Sequence, residues 1–226
     1  MKYKAVLFDF DDTLGDRERY AGALYRDIVV REGYAVDAPE TEAIIQQCMI
    51  WDQNGSVSKH AIEKELRETY GFRFDGIDDL DTYWDDHLWE YTVLFDDALS
   101  VLKELKEEGY LPGAVTNGKT YGQMQKIRQS GIEDMLDVIA VSEAVGFRKP
   151  DRGIFDWAAD RLHVRNEECI FIGDNWTTDI IGALHAGMKP VWYWPHGERV
   201  CHYPVERISC LSELPALIRK LEGEKE

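Results

Sequence analysis

Asp9 and Asp11 stand two residues apart in "FDFDDTLGD" (residues 8–16). In an extended chain that spacing points both carboxylates one way and sends Phe8 and Phe10 to the opposite face. Two carboxylates held together repel unless a proton or a cation lies between them. The pattern D-x-D-x-T, Asp9 to Thr13, therefore reads as paired acid chemistry or as an acidic turn around a structural cation. Three other places offer partners. "TNG" (116–118) sets the Thr116 hydroxyl beside the backbone N–H groups of Asn117 and Gly118, which makes either a small anion nest or a plain turn. Lys149 precedes Pro150 in "SEAVGFRKPD" (142–151), as a cation serving an anion or as an ordinary surface lysine. "GDNWTTD" (173–179) carries Asp174 and, five residues on, Asp179, which either orients a site from behind or caps a helix.

One stretch suggests a different chemistry. "GAVTNGKT" (113–120) fits G-x-x-x-x-G-K-[ST], the loop that wraps nucleotide phosphates, with Lys119 on phosphate and Thr120 on Mg²⁺. In such a loop the first glycine leaves the strand and the next four residues curl around phosphate. Here Ala114 and Val115 read as strand, so the loop starts at Thr116, and Lys119 and Thr120 open the following helix.

The elements that must carry these residues are legible as short apolar runs: "AVLF" (5–8), "GAV" (113–115), "VIAV" (138–141), "IFI" (170–172) and "VWYW" (191–194). Continuous runs without alternation suit strands buried on both faces of a parallel sheet. Helical patterns alternate with them at 97–108, 151–162 and 179–186. The result is a doubly wound α/β sheet, in which chemistry gathers beyond the carboxyl ends of the strands. Each candidate residue comes just after one of those runs. If the first and fourth strands are neighbours, Asp174 emerges beside Asp9 and Asp11.

The first connection is different. Between Asp16 and Tyr91 the pattern is helical: 18–32 with Tyr20, Leu24, Ile28 and Arg31 in one row, a helix opened by Pro39, one over 58–70, and one over 79–91 with Leu80, Trp84 and Leu88. Residues 17–91 thus form an inserted all-helical domain, and 1–16 with 92–226 form the sheet domain. The Trp and Tyr residues of the insert read as core before ligand contacts. The tail "EGEKE" looks disordered.

The formal net charge is −17, and 44% of the 226 residues are hydrophobic. That charge repels phosphate backbones and argues against nucleic-acid and anionic-membrane surfaces. Between residues 74 and 102 there is no Lys or Arg among nine acids, which reads as a solvated helix face. No apolar run of about eighteen residues spans a membrane. Four scattered cysteines without C-x-x-C point to reduced thiols and a cytoplasmic protein. His196, Cys201, His202 and Cys210 match no zinc spacing.

Taken together and in this order, D-x-D-x-T at Asp9–Thr13, Thr116, Lys149, and Gly173-Asp174 completed by Asp179 resemble the haloacid dehalogenase superfamily. The resemblance extends over nearly the whole chain, and the helical insert resembles that family's cap. It implies a phosphatase in which Asp9 is the nucleophile, forming an aspartyl-phosphate, and Asp11 protonates the leaving alcohol and then activates water. It further implies Mg²⁺ between the Asp9 carboxylate, the Asp11 backbone carbonyl and Asp174, with Thr116, the Asn117 amide and Lys149 on the phosphate and Asp179 orienting the set. Dehalogenase members lack a counterpart of Asp11. Phosphonate-cleaving members need a cap lysine, for which only Lys59 and Lys64 on a polar helix are available. Mutases usually show Gly where Asp12 stands. The expected substrate is a small soluble phosphate ester, tilted by "DFDDTL" and "VTNG" toward a nucleoside 5′-monophosphate, with Trp176 as a base-stacking or packing residue. A sugar-phosphate phosphatase, a phosphomutase and a non-catalytic binding protein are the alternatives. The expected assembly is a monomer or weak dimer, with the cap closing over the site and excluding macromolecules.

Overall fold

The computed structural model describes residues 1–197 and 200–223. The chain divides into two compact units, one of Met1–Gly15 with Leu94–Glu226 and one of Asp16–Val93. The first is built on a six-stranded, wholly parallel sheet in the order β3-β2-β1-β4-β5-β6. The chain begins with β1 (Ala5–Phe8), and the second unit comes next as α1 (Arg17–Arg31), α2 (Pro39–Asp52), α3 (Lys59–Tyr70) and α4 (Leu80–His87). The sheet unit resumes with α5 (Ala98–Glu107), β2 (Leu111–Thr116), α6 (Thr120–Gln129), β3 (Val138–Val141), α7 (Ser142–Val145) and α8 (Arg152–Arg161). It ends with β4 (Cys169–Gly173), α9 (Ile181–Ala186), β5 (Lys189–Tyr193), β6 (Glu206–Ile208) and α10 (Leu214–Gly223).

β1 is central, which explains its unbroken apolar run. Val6 and Phe8 pack on one face with Leu102, Leu105 and Ile218, and Ala5 and Leu7 on the other with Phe155, Ala158 and Phe171. Phe8 pairs with Ala114 of β2 and Ile172 of β4, so the carboxyl ends of the three strands lie side by side. The sixth strand is an addition to the five apolar runs: "ERI" is three residues long and begins with two charged ones, so it carries no buried-strand signature. Residues 222 and 223 of the acidic tail finish α10, and the Glu222 carboxylate accepts the backbone N–H groups of Lys2 and Tyr3 at 2.7 and 2.9 Å. The rest of that tail lies outside the described residues. No described helix is long and apolar enough to cross a membrane.

In the helical unit, Asp16 caps α1 by accepting the N–H of Arg19, Ser58 caps α3, and Asp79 caps α4. Tyr20, Leu24, Ile28, Ile44, Cys48, Ile62, Leu66, Leu80 and Trp84 form the core. Trp84 packs on Tyr25 with ring centroids 4.6 Å apart. At the neck between the units, Gly15 and Leu94 form an antiparallel bridge, Phe95 N donates to Leu14 O at 3.0 Å, and Asp16 N donates to Val93 O at 3.0 Å. Asp16, Thr92 and Val93 therefore group with the helices, because Asp16 serves α1 and pairs with Val93.

The helical core also hides an ion cluster. Asp52, fully buried, bonds Arg17 at 2.6 Å, Lys59, the Tyr25 hydroxyl at 3.1 Å and the Gly55 N–H at 2.9 Å. Lys59 lies over the Trp84 ring, 4.4 Å from its centroid. Unlike exposed Lys64, Lys59 is thus not on the polar face of its helix. It opens α3 at the end that turns inward toward α2.

Candidate active site

The loop after β1 is tight. The Phe10 carbonyl accepts the N–H groups of Leu14 at 3.0 Å and Gly15 at 2.7 Å, and Asp12 takes φ 58°, a left-handed conformation that aspartate tolerates. Asp9 leaves the strand with its N–H on Ile172 O at 2.9 Å, and its Oδ1 accepts the Phe10 N–H at 2.7 Å. The carboxylate is thus anchored at the sheet edge before any other side chain reaches it.

Lys149 reaches it from beyond β3. Its Nζ lies 2.8 Å from Asp9 Oδ1 and 2.8 Å from Asp179 Oδ1, with the lysine 2% exposed. Asn117 holds this lysine by its backbone: the Asn117 amide donates to Lys149 O at 3.1 Å and accepts the Lys149 N–H at 2.9 Å. The Asn117 side chain is therefore committed to Lys149, and the Gly118 N–H is committed to Ser142 Oγ at 3.0 Å.

Asp174 and Asp179 come from the end of β4. Asn175 caps the five-residue π-turn Trp176–Ile180 that leads into α9, accepting the N–H groups of Thr177 and Thr178. Asp179 is thus not the cap. It turns back inside that wide turn to Lys149, accepting also the Asn175 N–H at 3.0 Å and the Thr178 hydroxyl at 3.2 Å. Gly173 makes room for it: a Cβ there would stand 2.4 Å from Asp179 Oδ2. Carboxylate oxygens of Asp9, Asp174 and Asp179 all lie within 4.8 Å of one another. Trp176 packs edge-on against Trp192, centroids 5.1 Å apart, and Trp192 Nε1 donates to Asp174 O at 2.8 Å.

One ammonium among three carboxylates, two buried and Asp174 half-buried, leaves a surplus of negative charge. Burial pushes Asp9 up to about 7 against the pull of Lys149, with Asp179 and Asp11 adding repulsion. Burial, then Asp179, Asp9 and Asp12, push Asp174 well above the usual carboxylate range. Burial alone would lower Lys149, but Asp179 and Asp9 outweigh it and hold the ammonium charged.

Asp11 faces elsewhere. Lys126 Nζ lies 2.7 and 3.0 Å from its two carboxylate oxygens, and Gln123 Nε2 donates to Asp11 Oδ2 at 2.9 Å. The same Gln123 amide reaches Thr116 Oγ1 at 2.5 Å and Asn117 O at 3.1 Å. Neither α6 residue stands out in the sequence, since a polar helix normally shows such residues to solvent. The available signal is their i, i+3 spacing next to Ile127, which puts Gln123, Lys126 and Ile127 on one inward face. The other lysine of this region, Lys119, precedes α6 and is exposed. Gly113 lies inside β2, where a Cβ would meet Val138 at 2.4 Å and Leu7 at 2.8 Å. No phosphate-wrapping loop forms over 113–120.

A parallel α/β sheet with a lysine and a carboxylate cluster at its carboxyl edge, interrupted after β1 by a helical unit, defines a class of hydrolase. The chain matches the haloacid dehalogenase-like hydrolases over residues 6–193, and it belongs to that family. It is 29% identical to a glyceraldehyde 3-phosphate phosphatase of Pyrococcus furiosus, over 99% of this chain and 95% of that one. It is 25% identical to the pyrimidine 5′-nucleotidase YjjG of Escherichia coli, over 97% of this chain and the whole of that one. Among solved structures it is similar to the HAD-hydrolase YfnB of Bacillus subtilis bound to magnesium, with TM-score 0.77 and 27% identity, covering 96% of this chain and 99% of that one.

Proposed function

We propose that this chain is a Mg²⁺-dependent phosphomonoesterase that works through an aspartyl-phosphate on Asp9. The carrying observation is the cluster of buried Asp9 and Asp179, both bonded to one lysine, with half-buried Asp174 beside them, whose surplus of negative charge calls for a cation. The donor set fits Mg²⁺, being all hard carboxylate oxygen. Asp9 and Asp174 would hold the ion, with the Asp11 backbone carbonyl. Asp179, already engaged by Lys149, Asn175 and Thr178, orients the lysine. When bound, the ion offsets the charge of carboxylate and phosphate, so that the two anions can approach.

In this reading an Asp9 oxygen attacks phosphorus, the bond to the leaving oxygen breaks, and Asp11 supplies that oxygen's proton. Water then attacks the aspartyl-phosphate, Asp11 takes the water's proton, and the Asp9–phosphorus bond breaks to release phosphate. Lys149, Thr116 and the Asn117 N–H hold the phosphoryl oxygens. The sheet unit is the catalytic domain, and the helical unit is the cap that selects the substrate. The substrate is a small soluble phosphate ester. A nucleoside 5′-monophosphate is favoured by the full-length likeness to a pyrimidine nucleotidase, and a sugar or triose phosphate by the likeness to the glyceraldehyde 3-phosphate phosphatase.

The test is a panel of phosphorylated metabolites, with phosphopeptide and triphosphates included, assayed with and without Mg²⁺. Turnover of small monophosphates that needs Mg²⁺ and falls at least about a thousandfold in Asp9→Asn is expected. Full turnover in excess EDTA, or by Asp9→Asn, overturns the nucleophile and metal assignments.

A further inference from the structure

Helix α6 sits behind the site and contributes nothing to the carboxylate–lysine cluster, yet two of its buried side chains end on residues the reaction needs. Lys126, 6% exposed, spans both oxygens of Asp11 at 2.7 and 3.0 Å. Gln123, 3% exposed, shares its amide nitrogen among Asp11 Oδ2, Thr116 Oγ1 and Asn117 O. The Gln123 amide can face only one way. Turned over, its oxygen would meet the Asp11 carboxylate, acceptor against acceptor. With the nitrogen forward, Thr116 receives a hydrogen bond and keeps its own hydroxyl hydrogen for another acceptor. The price of this orientation is visible, since Gln123 Oε1 is buried with no hydrogen-bond partner.

We propose that Gln123 and Lys126 are positioning residues. Lys126 sets where the Asp11 carboxyl stands relative to the leaving oxygen, and Gln123 couples that placement to a Thr116 hydroxyl turned outward as a donor to phosphate. This rests on the phosphatase reading above. Asp11 in the α6 bracket accepts hydrogen bonds on both oxygens from Lys126 and on Oδ2 from Gln123, so it delivers a proton only by giving up part of the bracket, from a fixed starting point. Lys126 reaches the acid Asp11 and not Thr116, whereas Gln123 reaches both Asp11 and the Thr116 hydroxyl of the phosphate grip. The two residues therefore have different kinetic signatures.

Those signatures separate in kcat/KM, which covers the steps through departure of the alcohol. An alkyl phosphate needs a well-placed acid to leave, while an aryl phosphate such as p-nitrophenyl phosphate leaves almost without one. Lys126→Met keeps the buried stem and removes the ammonium. It is expected to lower kcat/KM about a hundredfold for an alkyl phosphate and only several-fold for the aryl phosphate. Lys126→Arg is expected to restore much of the loss. Gln123→Leu is expected to lower kcat/KM for both substrates by similar factors and to raise KM for both. Thermal melts of each variant identify any fold defect, and Lys126→Gln provides a second, shorter polar replacement. Equal losses on both substrates in Lys126→Met and Lys126→Gln, or no loss, overturn the proposal for Lys126. An alkyl-selective loss in Gln123→Leu with unchanged KM overturns the coupling to Thr116. Asp9→Asn and Asp11→Asn run alongside: retained turnover in Asp9→Asn overturns the aspartyl-phosphate mechanism on which this inference rests, whereas loss in both with an indifferent Lys126 sinks only this inference.

Discussion

The two units each bury a cluster of opposite charges, and the clusters are unbalanced in opposite directions. In the helical unit one carboxylate, Asp52, sits between Arg17 and Lys59 and takes further hydrogen bonds from Tyr25 and Gly55. Burial alone would raise it, but the two cations outweigh that and hold it below its ordinary range. In the sheet unit one ammonium, Lys149, serves Asp9 and Asp179 with Asp174 close by, and the carboxylates Asp9 and Asp174 are pushed up. Burying charge costs heavily in both places. The first cluster is satisfied by protein alone and reads as architecture. The second is short of positive charge and reads as a place kept for something else.

The largest effect expected from breaking this contrast is in the first cluster. Asp52→Ala removes the carboxylate that two buried cations share and should destabilise the protein by roughly 3–5 kcal/mol, read from the urea midpoint. A change below about 1 kcal/mol would mean that the cluster is not satisfied as described. The second cluster should respond to Mg²⁺ instead. At a hundredfold excess over Kd the ion should add about 2.7 kcal/mol of stability. Asp174→Asn should abolish that gain, and Asp52→Ala should retain it. The pH dependence carries the same contrast. Asp9, with a folded pKa of about 7 against 3.8 unfolded, binds its proton more tightly when folded. Its contribution to metal-free stability therefore falls as pH rises from about 4 through 7, and Mg²⁺ should remove that decline. Asp52, depressed when folded, does the opposite: its contribution is present above the unfolded pKa and is lost as pH falls through the folded one. A metal-free melting curve that is flat between pH 5 and pH 8, roughly, would undo the assignment of surplus charge to Asp9. The smallest effect belongs to Lys119→Ala, which should change kcat/KM by no more than about twofold and stability by no more than about 0.5 kcal/mol. A large loss there would revive a nucleotide loop at 113–120.

The contrast also separates what the sequence discloses from what it hides. The strand ends are legible because β1, β3 and β4 are continuous apolar runs, and the residues just past such a run in a parallel sheet are already at the active edge. Asp9, Lys149, Asp174 and Asp179 are each close to such an end. Arg17, Asp52 and Lys59 lie on three different helices, and no local pattern relates them. Each taken singly resembles a helix-terminal charge. Gln123 and Lys126 are hidden for a related reason: on a helix with little apolar signal, burial is decided by the neighbouring loop after β1, which periodicity does not describe. Asp179 could be read as a cap because Thr177, Thr178 and Asp179 all suit that place. The wide π-turn, capped by Asn175, decides between them by setting Asp179 inside the turn.

The neck bears on how freely the inserted segment can vary in length. Leu14 and Phe95, and Asp16 and Val93, are joined by backbone hydrogen bonds on either side of the Gly15–Leu94 bridge. The sheet unit is thus interrupted where its two ends already meet, so a segment of another length in this place closes at small extra entropic cost, growing only with the logarithm of loop length. Such a neck is a splice point: the segment Asp16–Val93 is removable as one piece, with its two ends already paired, while Asp9 and Asp174 belong to the other unit.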